Sequence, residues 1–268
     1  MKTKLFLAVV AATMFVACDR KGYMEADHRL MTDSVKFEQK DTVAEIRLKA
    51  DFPVRGQKAL TNAIAEYISE QWGGTYTGAL TGGDSIANYY GQAQKDSLTK
   101  MRAEFGTTGM PFFYSSEVNR VAETGKYVSY TTYTETFLGG AHGDHSLTGV
   151  TFRIADGRRF GWEMLRNTDA EAFRAFIREG LTEYFSKNTA QPVKTDADLK
   201  GMLLVDDDVN YLPLPKAAPY LTQDGVAFVY QIYEIAPYAA GMPTFVVPFS
   251  KIRPYLTATV TEMLETEK

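Results

Sequence analysis

Cysteine is almost absent from this chain: there is one, Cys18, in 268 residues. A single thiol excludes any internal disulfide, so the fold must rest on core packing. Histidine is nearly as scarce, with three residues, which leaves little material for a histidine-built metal centre or general base. Lys and Arg nowhere cluster, and the formal net charge is −4. Nucleic acid is therefore not an expected partner, because phosphate backbones are held by grouped cations. No apolar run reaches the roughly 18 residues needed to cross a bilayer. There is no Gly-x-Ser-x-Gly elbow, and the glycines at 73, 74, 78, 82 and 83 lack the Gly-Lys-Ser/Thr ending of a phosphate loop. Against these absences stands ample apolar material: 45% of residues are hydrophobic, with 16 Tyr and 16 Phe, enough for one large core or two ordinary ones.

The first residues carry an address. Met1-Lys-Thr-Lys4 is basic, residues 5–17 are apolar, and Cys18 follows at once. A charged start, a short apolar stretch and small residues before a break are the anatomy of an export signal. The apolar run of 13 residues is too short to cross roughly 30 Å of hydrocarbon at about 1.5 Å per residue, so it reads as a removable signal. Phe15-Val-Ala-Cys18 resembles a bacterial lipoprotein box. That resemblance implies cleavage before Cys18, lipidation of its thiol, and an exported protein anchored to a bacterial membrane and facing the periplasm or the cell surface. More than one acyl chain would make such an anchor stable. Residues 19–33 are polar and aperiodic, as a tether would be.

Beyond the tether, residues 34–39 and 42–52 alternate as two strands around Lys40-Asp41, with Pro53 expected to stop the second. Leu60, Ile64, Tyr67, Ile68 and Trp72 form the apolar stripe of a helix. A second helix, capped by Asp84 or Ser85, runs to about Phe105. The turn-rich 106–111 marks a boundary between an N-terminal lobe, 34–109, and a C-terminal domain, 110–268. In the latter, strands are expected at 112–121, 126–137, 147–154, 226–233 and 244–248. Thr168-Asp-Ala-Glu171 reads as a capping box for a helix carrying Phe173, Ile177, Leu181 and Phe185, and Ser250 as the cap of a last helix towards Leu264. Residues 188–219 are expected to wrap the surface. The fold class is α+β, a largely antiparallel sheet covered by helices, in two lobes.

The chain is organised around 127–145, where a Tyr- and Thr-rich strand empties into Leu138-Gly-Gly-Ala-His-Gly-Asp-His145. Two of the three histidines lie in this bend. His142, Asp144 and His145 are potential metal ligands, but a closed shell needs a fourth from a distant carboxylate such as Glu135 or Glu234. The plainer reading of His142 is a structural histidine at the end of a buried strand, its ring nitrogens bonded to backbone or to a tyrosine hydroxyl. Asp206-Asp-Asp208 with Asn210 imitates a calcium loop, but Tyr211 stands where glycine is needed and Ala217 where a glutamate is needed. The tyrosines, including Tyr89, Tyr90, Tyr130, Tyr133, Tyr233 and Tyr238, offer rigid faces with polar tips for a sugar or protein surface.

Three motifs carry a family resemblance: Gly139-Gly-Ala-His142 after the Tyr-rich strand, Asp156-Gly157 followed by Phe160, and Tyr233-Glu-Ile-Ala-Pro-Tyr238 with Gly241. From about residue 35 to 256 the chain resembles the extracellular sensor domain of the lysozyme-responsive anti-sigma factor (RsiV-like) and its exported lipoprotein relatives of unassigned function. Phe52-Pro53, Asn62 and Ile64 resemble the small domain that often precedes it. The resemblance implies an α+β fold and non-catalytic recognition of a lysozyme-like protein; cell-wall peptidoglycan is the other expected ligand. With a lipoprotein signal in place of a cytoplasmic segment and a membrane helix, sigma-factor control is not implied. The expected ligand-binding residues are Tyr133, His142, His145, Tyr233, Glu234 and Tyr238, with no catalytic residue, metal ligand or cofactor assigned. The competing reading is a metal-assisted envelope hydrolase using His142, Asp144, His145 and Glu234.

Overall fold

The structure, a computed structural model, describes residues 29–106, 109–189 and 192–265. The expected signal, Cys18 and the tether as far as residue 28 lie outside these. Two sheets and six helices make up the described chain. Strands β1 (Met31–Lys40), β2 (Ala44–Arg55), β3 (Phe112–Glu123), β4 (Tyr127–Phe137), β5 (Asp144–Arg153) and β6 (Arg159–Phe160) form a six-stranded sheet in sequence order. All neighbours are antiparallel except β2 and β3, which run parallel because two helices, α1 (Lys58–Trp72) and α2 (Gly83–Phe105), cross between them. The second sheet is β7 (Tyr220–Leu221), β8 (Gly225–Val229) and β9 (Thr244–Pro248), flanked by α3 (Glu171–Asn188), α4 (Asp196–Met202), α5 (Phe249–Ile252) and α6 (Ala258–Leu264).

The fold class agrees with the sequence expectation, but several details differ. The tether ends earlier than residue 33, since Leu30 is buried and Met31 already pairs with Arg55. Pro53 does not stop β2. Past Ala50 that strand has β1 as its only partner, so Pro53 withholds no hydrogen bond from β3. The boundary at 109/110 falls inside a sheet, because β2 and β3 pair across it. The division that exists is between two cores. One lies between the large sheet and α1 and α2, and includes Ile46, Leu48, Leu60, Ile64, Ile68, Tyr130 and Phe152. The other includes Phe173, Ile177, Leu181, Phe228, Tyr230, Ile252 and Val260. Each such fully buried side chain contributes roughly 1.5–3 kcal/mol relative to exposure.

Helix ends account for the remaining differences. The residue preceding α3 is Ala170, with no side-chain cap, so Thr168 and Glu171 do not form the expected box. A capping box does form at the unexpected α4, where Thr195 Oγ1 accepts from Asp198 N and Asp198 Oδ2 accepts from Thr195 N. That helix has seven residues and one buried apolar side chain, Leu199, too few for a periodic signal. The last helix is broken. After α5, residues 253–255 tighten into a 3-10 turn at Pro254, and Leu256 then extends to bridge Leu165 before α6 begins.

β4 is one of the strands on which both cores meet. Its even residues Val128 and Tyr130 enter the first core, while Tyr127 on the opposite face enters the second and donates its hydroxyl to Thr222 O at 2.7 Å. The small sheet docks on the same face one strand over. Tyr220, Ala227 and Val229 pack with Leu147, Leu221 N donates to Thr151 Oγ1, and Gly149 leaves room for the Tyr220 ring.

Candidate functional site

The docking brings the bend between β4 and β5 against the loop between β8 and β9. Gly139 and Gly140 both take positive φ, 94° and 97°, a turn that side chains rarely permit. They deliver His142 to the surface. The opposing loop is clamped at both ends. Gln231 uses its side-chain amide as a ladder rung on β5, donating to Leu147 O at 2.8 Å and accepting from Leu147 N at 3.0 Å. At the far end, Tyr184 donates its hydroxyl to Ala240 O at 2.7 Å, and Gly241 turns the chain at φ 68°.

Five rings gather there. His142 stacks on Tyr238 with centroids 3.9 Å apart, and Tyr233 lies 6.2 Å from His142 and 5.8 Å from Tyr238. His145 approaches Tyr238 at 6.4 Å and stacks with Tyr133 at 6.0 Å. Polar contacts thread the cluster: Tyr133 Oη lies 2.8 Å from His145 Nδ1, Tyr233 Oη lies 3.4 Å from His142 Nε2, and His142 Nδ1 lies 2.9 Å from Gly143 O. Partial burial, helped by the nearby Glu135, raises the Tyr133 phenol above its ordinary pKa.

Five of the six expected residues are thus brought together, and the sixth is not. Both oxygens of Glu234 are engaged by backbone: Oε1 accepts from Lys216 N at 2.6 Å and Oε2 from Gln231 N at 2.7 Å. Glu234 shapes the loop rather than facing a ligand. Among the described residues no three His, Cys, Asp or Glu side chains gather as a metal shell. His142 keeps the backbone and tyrosine contacts expected of a structural histidine, yet it is exposed rather than buried. Tyr90 and Tyr130 are core residues, 2% and 0% exposed, and are withdrawn from any binding surface; Tyr233, at 55%, is open to it. Gln231 and Tyr184 were not anticipated, and nothing in their local sequence distinguishes them from neighbouring polar and aromatic residues.

The Tyr233 backbone sits at φ 61°, in the left-handed region that a bulky residue rarely enters. Such strain is held only where surrounding contacts overdetermine it, and here it turns the ring towards His142. The result is a rigid, partly exposed aromatic platform with phenol, imidazole and backbone groups at its rim.

These features define the class: an α+β protein of two packed sheets whose loops join in a ring-lined surface. Within it, residues 166–250 match the family described as "Protein of unknown function (DUF3298)". That segment supplies Tyr233 and Tyr238, whereas Tyr133, His142 and His145 come from the strands before it. A DUF3298 family member from Bacteroides fragilis has a similar structure, with a TM-score of 0.68 at 20% identity, over 89% of this chain and 98% of that one. A DUF3298 family protein from Pseudomonas aeruginosa PAO1 is similar at a TM-score of 0.61 and 16% identity, over 87% and 97%. No curated protein matches the sequence.

Proposed function

We propose that this chain is a binding protein of the bacterial cell envelope, exported by its N-terminal signal and held by a lipid on Cys18. Its ligand surface is the platform of Tyr133, His142, His145, Tyr233 and Tyr238. The observation that carries the reading is the five-ring cluster, assembled from two separate loops and left partly open to solvent. Rigid tyrosines lose little conformational entropy on contact and offer both an apolar face and a hydroxyl. The ligand is a protein, lysozyme-like, as the resemblance to the RsiV-like sensor implies, or the peptidoglycan glycan of the cell wall.

The full chain in detergent, assayed against lysozyme and against sedimented peptidoglycan, tests this. Binding to one of them, weakened at least tenfold by Tyr238→Ala and by His142→Ala, supports it. No binding to either, or binding indifferent to both substitutions, would overturn it. Metabolic labelling with a palmitate analogue tests the anchor separately, with Cys18→Ser expected to abolish the label.

A further inference from the structure

β1 is an outer strand of the large sheet, and among the described residues no strand pairs with its free side. It is long for an edge: ten residues, where strands commonly have about five or six. Proteins usually blunt such edges with charged side chains, proline, bulges or a covering element, because a row of unpaired backbone groups recruits another strand. Between Thr32 and Lys40 β1 carries Lys36, Glu38 and Lys40 but no proline, and its only irregularity lies at its start, between Met31 and Thr32. The hydrogen-bonding edge is thus regular over nine residues, 32–40.

The charges along β1 fit one occupant. Val35 and Phe37 face the helices, and the Phe37 ring, half-buried, fills the space left by Gly91 of α2. Lys36 and Glu38 point to the other, open face, with side chains 67% and 62% exposed and their charged ends 4.0 Å apart. In an antiparallel pair of two β1 strands centred on Phe37, position 36 of each strand falls opposite position 38 of the other. Two Lys–Glu cross-strand pairs then flank a Phe–Phe contact. Within one chain Lys36 lies directly opposite Lys49, whose own opposite charge is Glu117 of β3; the pairing gives Lys36 a facing glutamate as well.

We infer that β1 pairs antiparallel with β1 of a second copy of this chain, in the register centred on Phe37, joining two six-stranded sheets into one. The helices permit it. α2 lies over both β1 and β2, and strands are spaced about 4.8 Å apart, so the two copies of α2 come to about 10 Å, an ordinary helix-packing distance.

Sedimentation equilibrium of the full chain in density-matched detergent tests the inference. The expected result is a concentration-dependent dimer. Lys36→Glu sets glutamate opposite glutamate and Glu38→Lys sets lysine opposite lysine, so each weakens dimerisation by at least about tenfold. The double variant Lys36→Glu/Glu38→Lys restores complementary pairs and with them the dimer. Both side chains are exposed, so circular dichroism should show all three variants folded. A wild-type chain that stays monomeric at every concentration, or single variants that dimerise as well as wild type, would overturn the inference. So would a double variant no better than the singles. Dimerisation appearing only after deletion of residues 19–28 would overturn it too, by giving the edge to the chain's own preceding segment.

Discussion

Replacing Gly149 with alanine measures how tightly the two sheets are locked together. Gly149 sits on β5 beneath the Tyr220 ring, and a Cβ there would overlap the ring carbons. The ring has little room to retreat: Tyr220 is 7% exposed, β7 is paired to β8, and the neighbouring Leu221 N donates to Thr151 Oγ1 at 2.8 Å. Overpacking of this kind costs about 1–3 kcal/mol. Alanine returns roughly 0.5–1 kcal/mol by restricting the unfolded chain. The net expectation is destabilisation by about 1–2 kcal/mol, a fall in Tm of about 2–4 °C per kcal/mol for a chain of this size. Urea unfolding followed by fluorescence, with thermal scanning alongside, reads it directly. Tyr220→Leu frees the space, so the double variant should lose less than the sum of the singles by about 0.5–2 kcal/mol. An alanine variant as stable as wild type, or strict additivity with Tyr220→Leu, would show that the sheets do not bear on each other at this point. The same packing presents Tyr238 to His142, so Gly149→Ala should also weaken ligand binding from a distance.

Other expectations concern the loop and the turns. Tyr233→Asn places a residue that tolerates left-handed backbone at a strained position. Stability should hold or rise by up to about 1 kcal/mol in urea titrations while binding falls, and a large loss of stability would argue that the ring is structural. Glu234→Ala strips the acceptor from two backbone amides, at Lys216 and Gln231. It should cost about 1–3 kcal/mol by the same measurement, with binding reduced through loop disorder. Asp156 is held at a pKa of about 2, below its ordinary 3.8, chiefly by the hydrogen bond from Arg153. A lowered carboxylate stabilises the fold above about pH 4 and loses that contribution as pH falls towards 2. Asp156→Asn should therefore flatten the stability profile across that window, modestly, since the pair is partly solvent-screened. An unchanged profile would remove Asp156 from the account.

Much of the architecture was legible in local sequence. The stripe Leu60, Ile64, Tyr67, Ile68, Trp72 is the buried face of α1, with every member 6% exposed or less. β9 occupies the expected 244–248, and the Tyr- and Thr-rich strand expected at 126–137 is β4, paired on both sides. Helix ends were less legible. The motif at 168–171 satisfies the capping pattern, but backbone geometry placed the start of α3 at Glu171. α4 went unseen because its box rests on a single buried leucine. Asp156-Gly157 was visible as a motif, but its purpose was not. Gly157 has φ 72° and a Cβ there would strike Ala59 O, while Gln57 donates to Ala155 O, so the turn is the seat on which α1 begins.

By itself the sequence determined what depends on residues close together in the chain: periodic apolar faces, glycine bends, the scarcity of ligating side chains, and an apolar run too short to span a bilayer. It also nominated the bend at 139–145 and the motif at 233–241. Tertiary structure decided which of those nominations share a surface. Position 142 lies nearly a hundred residues from Tyr238, and long-range contacts such as the seating of Tyr220 on Gly149 and the Gln231 clamp bring their rings to 3.9 Å. It also took Glu234 away from that surface, because two backbone amides nearby compete for its carboxylate more effectively than solvent does. Contacts of that kind depend on how two sheets twist and stack, and no local pattern encodes them.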